Sequence, residues 1–169
     1  SAYKVSKISI MKRVFIALGT NLGDRLDNLR KAIASFSPEL QIIRESAIYE
    51  TPPWGYEDQP AFLNMVIEAK TRLEPDSLLS YLQEKEKSLG RVKNFRNGPR
   101  QIDLDILFYD NLILNEEKLT IPHPQLHKRA FVLVPLAEIA PAFKHPLLGK
   151  KIKTFLHDVD ISEITPFSV

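Results

Sequence analysis

The order of extended and helical segments restricts the fold more than any other feature of this 169-residue chain. Apolar runs rich in β-branched residues predict four strands, at residues 13–18, 40–50, 62–70 and 101–109. Two amphipathic helices are predicted between them, one capped by Asp24 and one beginning at Pro75 and ending at Gly90. The resulting order (strand, helix, strand, strand, helix, strand) predicts an α+β domain with a ferredoxin-like core and a mostly antiparallel sheet.

The remaining segments are assigned by the same reasoning. A short helix is predicted near residues 134–140, and residues 150–169 are expected to form a peripheral tail. Met11 followed by KRVFIALG is typical of a natural start, so residues 1–10 are expected to be an extension or an artificial remnant, and residues 11–169 a single domain.

Composition excludes several classes of protein. Cysteine is absent, so the chain has neither a disulfide framework nor thiolate chemistry. No apolar run is long enough for a transmembrane helix, and we expect a cytoplasmic protein. A net charge of +2 is too small to indicate nucleic-acid binding, so any cationic function must depend on a local cluster.

The last predicted strand carries two acidic residues at an unusual spacing. Residues i and i+2 of a strand face the same side, so Asp103 and Asp105 share one face. Ile102, Leu104 and Ile106 occupy the other face and can anchor the strand in the core. Paired carboxylates suit magnesium, which usually takes one or two of them together with substrate phosphates. A half-exposed strand with a polar face would show the same pattern, and these residues alone leave both interpretations open.

The segment just before this strand, GRVKNFRNGPR, is basic. It contains Arg91, Lys93, Arg96 and Arg100 and no acidic residue. Arginine pairs bidentately with phosphate oxygens, and lysine supplies a point charge. A cationic loop that leads into paired carboxylates is what a metal-bound polyphosphate would require. A solvated loop or a nucleic-acid contact would have the same composition.

Two polar segments at the helices can be interpreted either as ligand contacts or as ordinary structural features. The turn at residues 19–23 joins a strand to a helix, where anions often bind, but it matches neither the Walker A nor the dinucleotide fingerprint. A tight turn with a helix cap explains it equally well. Gln83 and Glu86 share a helix face and are candidates for ligand contact, although solvent exposure is the simpler interpretation.

Aromatic and amide residues near the proline-rich loop at residues 51–60 suit a flat heterocycle. Trp54 lies in that loop, and Phe62 and Asn64 follow it. Rings stack on a heterocycle and amides bind its edge, but Phe62 is equally suited to the core. His123, between two prolines, suits either a phosphate contact or a structural turn.

Four motifs occur in order along the chain: FIALGTNLGDR, ETPPWGYEDQPAFLN, GPRQIDLDIL and LTIPHPQLHKRAFVLVPLAEIAP. Together they resemble the 6-hydroxymethyl-7,8-dihydropterin pyrophosphokinase family. The resemblance implies a transferase of folate biosynthesis that moves the β,γ-diphosphate of ATP to the hydroxymethyl oxygen of the pterin and releases AMP. It further implies a three-layer α-β-α sandwich, two magnesium ions held by Asp103 and Asp105, and catalytic arginines at Arg91 and Arg100.

The resemblance also implies the substrate-binding residues. The pterin pocket is expected at Thr51, Pro52, Trp54, Phe62, Asn64 and Phe131, with the two phenylalanine rings stacked on either side. The ATP contacts are expected at Gln83, Glu86, Arg91, Arg100, Ile106, Lys118, Thr120, His123 and Arg129. Lys93 and Arg96 join them when the basic loop closes. Asn97 departs from the family pattern, since many relatives have tryptophan there.

Two other functions share part of this pattern. A ferredoxin-like RNA-binding module would place the basic loop on RNA, but the aromatic RNP1 pattern is absent and unmetallated carboxylates repel phosphate. A nucleotidyltransferase would use the same two-metal arrangement but release pyrophosphate. We therefore expect ATP and 6-hydroxymethyl-7,8-dihydropterin as partners, with neither nucleic acid nor membrane. Fusion or association with a dihydropteroate synthase is left open.

Overall fold

The computed structural model describes residues 10–53, 57–90 and 98–169. The strands are β1 (Lys12–Thr20), β2 (Gln41–Glu45), β3 (Tyr49–Thr51), β4 (Phe62–Thr71), β5 (Asp103–Tyr109), β6 (Leu114–Asn115), β7 (Thr120–Ile121) and β8 (Thr165–Pro166). The helices are α1 (Arg25–Ala34), α2 (Pro75–Ser88), α3 (Ala130–Ile139) and α4 (Ile152–Phe155). The four predicted strands and two main helices are therefore present, with the second predicted strand divided into β2 and β3.

The main sheet has the strand order of a ferredoxin-like fold. Its strands follow the order β5-β1-β4-β3-β8, and β2 pairs with β4 beside β3. All of these pairings are antiparallel. Strand β1 thus lies between β4 and β5, which are the third and fourth predicted strands, as the predicted topology requires. The α+β assignment is confirmed.

Local sequence signals explain where the two main helices begin and end. The Asp24 side chain accepts a hydrogen bond from the Asp27 backbone N–H at 3.1 Å, which satisfies a free donor in the first turn of α1. Pro75 occupies the first turn of α2, where its missing N–H costs no helical bond. Gly90 follows α2 with a φ of 96°, a left-handed conformation that favours glycine.

Two apolar cores, one on each face of the sheet, make the domain a three-layer α-β-α sandwich. The first contains Leu29 of α1 and Leu82 of α2 packed with Ile16. The second contains Leu136 of α3 packed with Phe108. Alternate residues of each central strand enter opposite cores, which is why these strands are almost continuously apolar.

The structure differs from the sequence predictions towards the C-terminus. Helix α3 begins at Ala130, four residues before the predicted start, and Pro135 lies inside it. The prediction of a peripheral tail over residues 150–169 is wrong in part. Ile152 and Phe155 of α4 are buried in the second core, and β8 pairs with β3. Burying these apolar side chains against α3 overrides the weak local signal.

Within the described ranges, none of the helices has the length and apolar character needed to cross a membrane.

Candidate active site

A cavity of about 280 Å³ opens at one end of the sheet, where α3 begins. Strand pairing explains its floor. Gly19 of β1 lies opposite Asn64 of β4 on one side and opposite Asp103 of β5 on the other. In the next row on the same face, Ala17 lies opposite Asp105. Because neighbouring strands are about 4.8 Å apart, the backbones of Asn64 and Asp103 are roughly 9.5 Å apart across the cavity floor.

Gly19 keeps this floor open. A Cβ atom at this position would lie 3.1 Å from Asn64 Oδ1 and 3.8 Å from Phe62 Cδ1. The first distance is shorter than ordinary van der Waals contact, so a side chain here would press on the Asn64 amide while touching the Phe62 ring at normal contact distance. The glycine therefore gives access to an amide and an aromatic ring that a larger residue would cover.

One end of the cavity carries the charged residues. Asp103, Asp105, Arg100, His123 and Arg129 all line it. The structure thus brings together the paired carboxylates and three of the predicted phosphate contacts, although they come from three separate segments of the chain.

The opposite face of β5 is apolar, as predicted. Ile102, Leu104 and Ile106 are between 0% and 5% exposed and belong to the first core. Burial of these side chains fixes the direction in which the intervening carboxylates point, towards the cavity.

His123 has a defined protonation state. Its backbone N–H donates to the Leu107 carbonyl at 3.0 Å, and its Nδ1 accepts from the Gln125 backbone N–H at 3.1 Å. Burial, aided by the positive charge of Arg129, lowers the pKa of His123 to about 4. The imidazole is therefore neutral at pH 7, with its proton on Nε2, because Nδ1 serves as an acceptor. Such a ring can donate a hydrogen bond without adding charge.

The other end of the cavity, on the β4 side, suits a flat polar ring. Thr51, Pro52, Phe62 and Asn64 line the cavity there, and so does Phe131, whose ring centroid lies 5.8 Å from the Arg129 guanidinium carbon. Asn64 Nδ2 donates to Thr51 Oγ1 at 2.8 Å, which orients the amide and leaves Oδ1 beside Gly19. Two aromatic side chains and an oriented amide are the groups that bind the faces and the edge of a heterocycle.

Five of the predicted ATP contacts lie outside the lining of this cavity. Gln83 is exposed on α2, Lys118 lies in the turn between β6 and β7, and Thr120 begins β7. Ile106 is buried in the first core. Glu86 is 5% exposed, and its Oε2 accepts the Leu104 backbone N–H at 2.9 Å on the outer edge of β5.

Four predicted site residues lie outside the described residues: Trp54, Arg91, Lys93 and Arg96. Asn97, where this chain differs from the family pattern, lies outside them as well.

Sequence reasoning did not select the apolar wall of the cavity. Ala17, Met65, Leu107 and Val132 line it together with Gly19. Strand alternation carries part of this information, since Leu107 follows Asp105 by two residues. Only knowledge of the neighbouring strand could have added Ala17.

The residues at the charged end fit magnesium. In the parts of the chain that the structure describes, no group of three or more His, Cys, Asp or Glu side chains could hold a metal alone. Asp103 and Asp105 instead offer two hard oxygen ligands beside cationic side chains. Magnesium commonly binds through one or two carboxylates and completes its shell with water and substrate phosphates. A pair of carboxylates in an open cavity meets that requirement.

Comparison with known proteins finds relatives over most of the chain. Residues 15–141 match the family model described as 7,8-dihydro-6-hydroxymethylpterin-pyrophosphokinase. The 2-amino-4-hydroxy-6-hydroxymethyldihydropteridine pyrophosphokinase of Aquifex aeolicus is 43% identical over 145 residues, covering 86% of this chain and 91% of that protein. The enzyme of the same name from Bacillus subtilis is 49% identical over 127 residues, covering 74% and 76%.

Longer proteins also contain a related region. The folic acid synthesis protein fol1 of Pneumocystis carinii is 44% identical over 158 residues, and the match covers 91% of this chain but 21% of the fungal protein. The crystal structure of Plasmodium falciparum HPPK-DHPS shares the fold, with a TM-score of 0.71 at 18% identity, over 90% of this chain and 42% of that one.

Proposed function

The chain belongs to the 7,8-dihydro-6-hydroxymethylpterin-pyrophosphokinase family, and from this membership we infer the reaction that it catalyses. It transfers a pyrophosphoryl group from ATP to the hydroxymethyl group of 6-hydroxymethyl-7,8-dihydropterin, in folate biosynthesis. The products are the pterin diphosphate and AMP. The observation that carries this assignment to particular residues is that one cavity is lined both by a carboxylate pair with cationic residues and by aromatic and amide side chains.

We propose that Asp103 and Asp105 hold two magnesium ions at the charged end. Both residues line the cavity from one face of β5, while the other face is locked in the core. When bound there, magnesium would neutralise charge on the triphosphate oxygens and favour the approach of an alcohol oxygen to phosphorus.

The remaining residues of the charged end position the triphosphate. Arg100 and Arg129 line the cavity, and their guanidinium groups can pair there with phosphate oxygens. The neutral His123 ring can donate from Nε2 to a phosphate oxygen. These fixed donors would lower the barrier mainly by holding the β-phosphorus near the acceptor hydroxyl and by compensating charge as AMP leaves. Arg91, Lys93 and Arg96 are proposed as further phosphate contacts from the basic loop.

The aromatic end would hold the pterin. Phe62 and Phe131 supply rings for its two faces, and Asn64 Oδ1 is available to accept an N–H from its edge. Thr51, Pro52 and Trp54 complete the proposed pocket. The roughly 9.5 Å between the backbones of Asn64 and Asp103 leaves room for a bicyclic ring whose hydroxymethyl group reaches towards the carboxylates.

The outer edge of β5 is the proposed place for the rest of the nucleotide. Ile106 belongs to this strand, and Glu86 reaches its edge through Leu104. The other proposed contacts, Gln83, Lys118 and Thr120, come from α2 and the β6–β7 hairpin.

Product analysis tests the assignment directly. Purified protein is incubated with ATP and magnesium chloride, with and without 6-hydroxymethyl-7,8-dihydropterin, and nucleotides are separated by anion-exchange chromatography. We expect AMP and pterin diphosphate in equal amounts, only when the pterin is present. Release of inorganic pyrophosphate with a nucleotidylated product would instead indicate a nucleotidyltransferase.

The longer relatives suggest a partner. The Plasmodium protein is named as HPPK-DHPS, and this chain corresponds to 42% of its length. We propose association with a dihydropteroate synthase, covalent or not, as the assembly in which this domain works. Analytical ultracentrifugation of the domain mixed with the synthase from the same organism tests the non-covalent form.

A further inference from the structure

Asn21 lies immediately after β1 and is 1% exposed, yet its side chain is fully hydrogen-bonded. Its Oδ1 accepts the Arg100 backbone N–H at 2.7 Å. Its Nδ2 donates to Gln59 Oε1 at 2.8 Å and to the Pro60 carbonyl at 3.0 Å. One buried amide therefore joins the segment that enters β5 to the loop that enters β4.

Both joined segments lead directly to the cavity. Arg100 lines the charged end and precedes Asp103 by three residues. Pro60 precedes Phe62, which lines the pterin end, by two residues. The hydrogen bonds of the Asn21 side chain therefore connect the segments that carry the two ends of the cavity.

Neighbouring contacts reinforce the connection on the Arg100 side. The Asn21 backbone N–H donates to the Arg100 carbonyl at 2.9 Å, so the two residues exchange a pair of hydrogen bonds. Thr20 Oγ1 donates to the Gln101 carbonyl at 2.5 Å, and Asn28 Nδ2 donates to the same carbonyl at 3.1 Å. The backbone that carries Arg100 is therefore held by buried side chains up to the residue before Ile102.

We propose that Asn21 is a positioning residue for this reaction. Its amide fixes the main chain of Arg100 relative to the Gln59–Pro60 loop, and so aligns the charged end of the cavity with the end proposed to hold the pterin. This inference rests on the proposed function of the cavity. The chemistry explains the residue type, because asparagine offers an acceptor and two donors on one short side chain. Aspartate retains the acceptor for Arg100 but loses the donors, and alanine loses both.

Steady-state kinetics of Asn21→Ala, Asn21→Asp and Thr71→Ala test the proposal. Thr71 is a matched control, because it is fully buried and its Oγ1 bridges the Glu39 carbonyl at 2.9 Å and the Leu73 N–H at 3.1 Å, away from the cavity lining. All variants are assayed at a temperature at which thermal melting shows that each is folded.

The expected results separate alignment from stability. Loss of buried hydrogen bonds on both sides should lower kcat of Asn21→Ala roughly tenfold and raise its KM for the pterin about fivefold. Thr71→Ala should lose stability but keep both constants within about twofold of the wild type. Asn21→Asp should recover most of kcat, because the acceptor for Arg100 is restored, while its KM for the pterin stays raised.

Amide hydrogen exchange supplies a readout that does not depend on activity. In Asn21→Ala, exchange at residues 98–101 should accelerate, whereas in Thr71→Ala it should match the wild type. Unchanged exchange there, or kinetic losses equal to those of Thr71→Ala, would overturn the proposal. A wild-type protein that forms no AMP would refute the assigned reaction instead, and the exchange data would still report whether Asn21 anchors Arg100.

Discussion

Filling the space above Gly19 tests the cavity most directly. Gly19 is a β1 residue without a positive φ, so its backbone accepts a side chain, and strand propensity favours one. The Cβ of Gly19→Ala would lie 3.1 Å from Asn64 Oδ1, so the amide must shift by a few tenths of an ångström. Gly19→Val adds two further methyl groups inside a cavity of about 280 Å³.

The expected magnitudes follow from these contacts. Overpacking costs about 1–3 kcal/mol, and we assign the alanine variant the lower value and the valine variant the upper one. If the pterin occupies this space, its dissociation constant should rise roughly fivefold in Gly19→Ala and roughly 150-fold in Gly19→Val. Because the charged end is untouched, the KM for ATP should stay within about twofold of the wild type.

The assay measures AMP formation with each substrate varied in turn, together with direct titration of the pterin by fluorescence. Gly149→Ala is the control, because Gly149 has a φ of 72° and no atom within 4 Å of an added Cβ. It should lower stability through backbone strain and leave both KM values unchanged. A folded Gly19→Val variant that binds the pterin as tightly as the wild type would refute the placement of the pterin over Gly19.

Three further perturbations have defined outcomes. Asp103→Ala and Asp105→Ala should each abolish AMP formation at saturating magnesium while leaving the thermal melting temperature near that of the wild type; near-normal turnover by either folded variant contradicts the metal assignment. Glu86→Ala should reduce the free energy of unfolding in urea by about 1–3 kcal/mol, because it leaves the buried Leu104 N–H without its acceptor. Glu86→Gln keeps an acceptor oxygen and should retain most of that stability. Equal losses in the two variants would exclude the hydrogen bond as the cause. Burial lowers the pKa of His145 to about 4. The stability that the neutral imidazole contributes is therefore complete above pH 6.5 and declines as the pH falls towards 4, by at most about 1.4 kcal/mol per pH unit. His145→Asn, which preserves an acceptor for the Leu148 N–H, should flatten the dependence of the urea midpoint on pH in this range.

The sequence by itself determined the main helices and strands up to residue 109 and the identity of the charged strand. Asp24 and Pro75 are short-range signals, and each marks a helix start in the structure. Alternation alone predicted that Ile102 and Leu104 would face the core while Asp103 faced the other way. These features depend on neighbours within a few residues, where propensity and periodicity act.

Only the tertiary structure decided which residues meet. Asn64, Gly19 and Asp103 are far apart in sequence, and strand order and register place them in one row. The roles of Gly19 and Asn21 were invisible in the sequence, because each depends on what another segment places opposite: an amide and a ring in one case, and two loop backbones in the other. Burial and cross-strand contact are properties of the packed chain, so no local pattern encodes them.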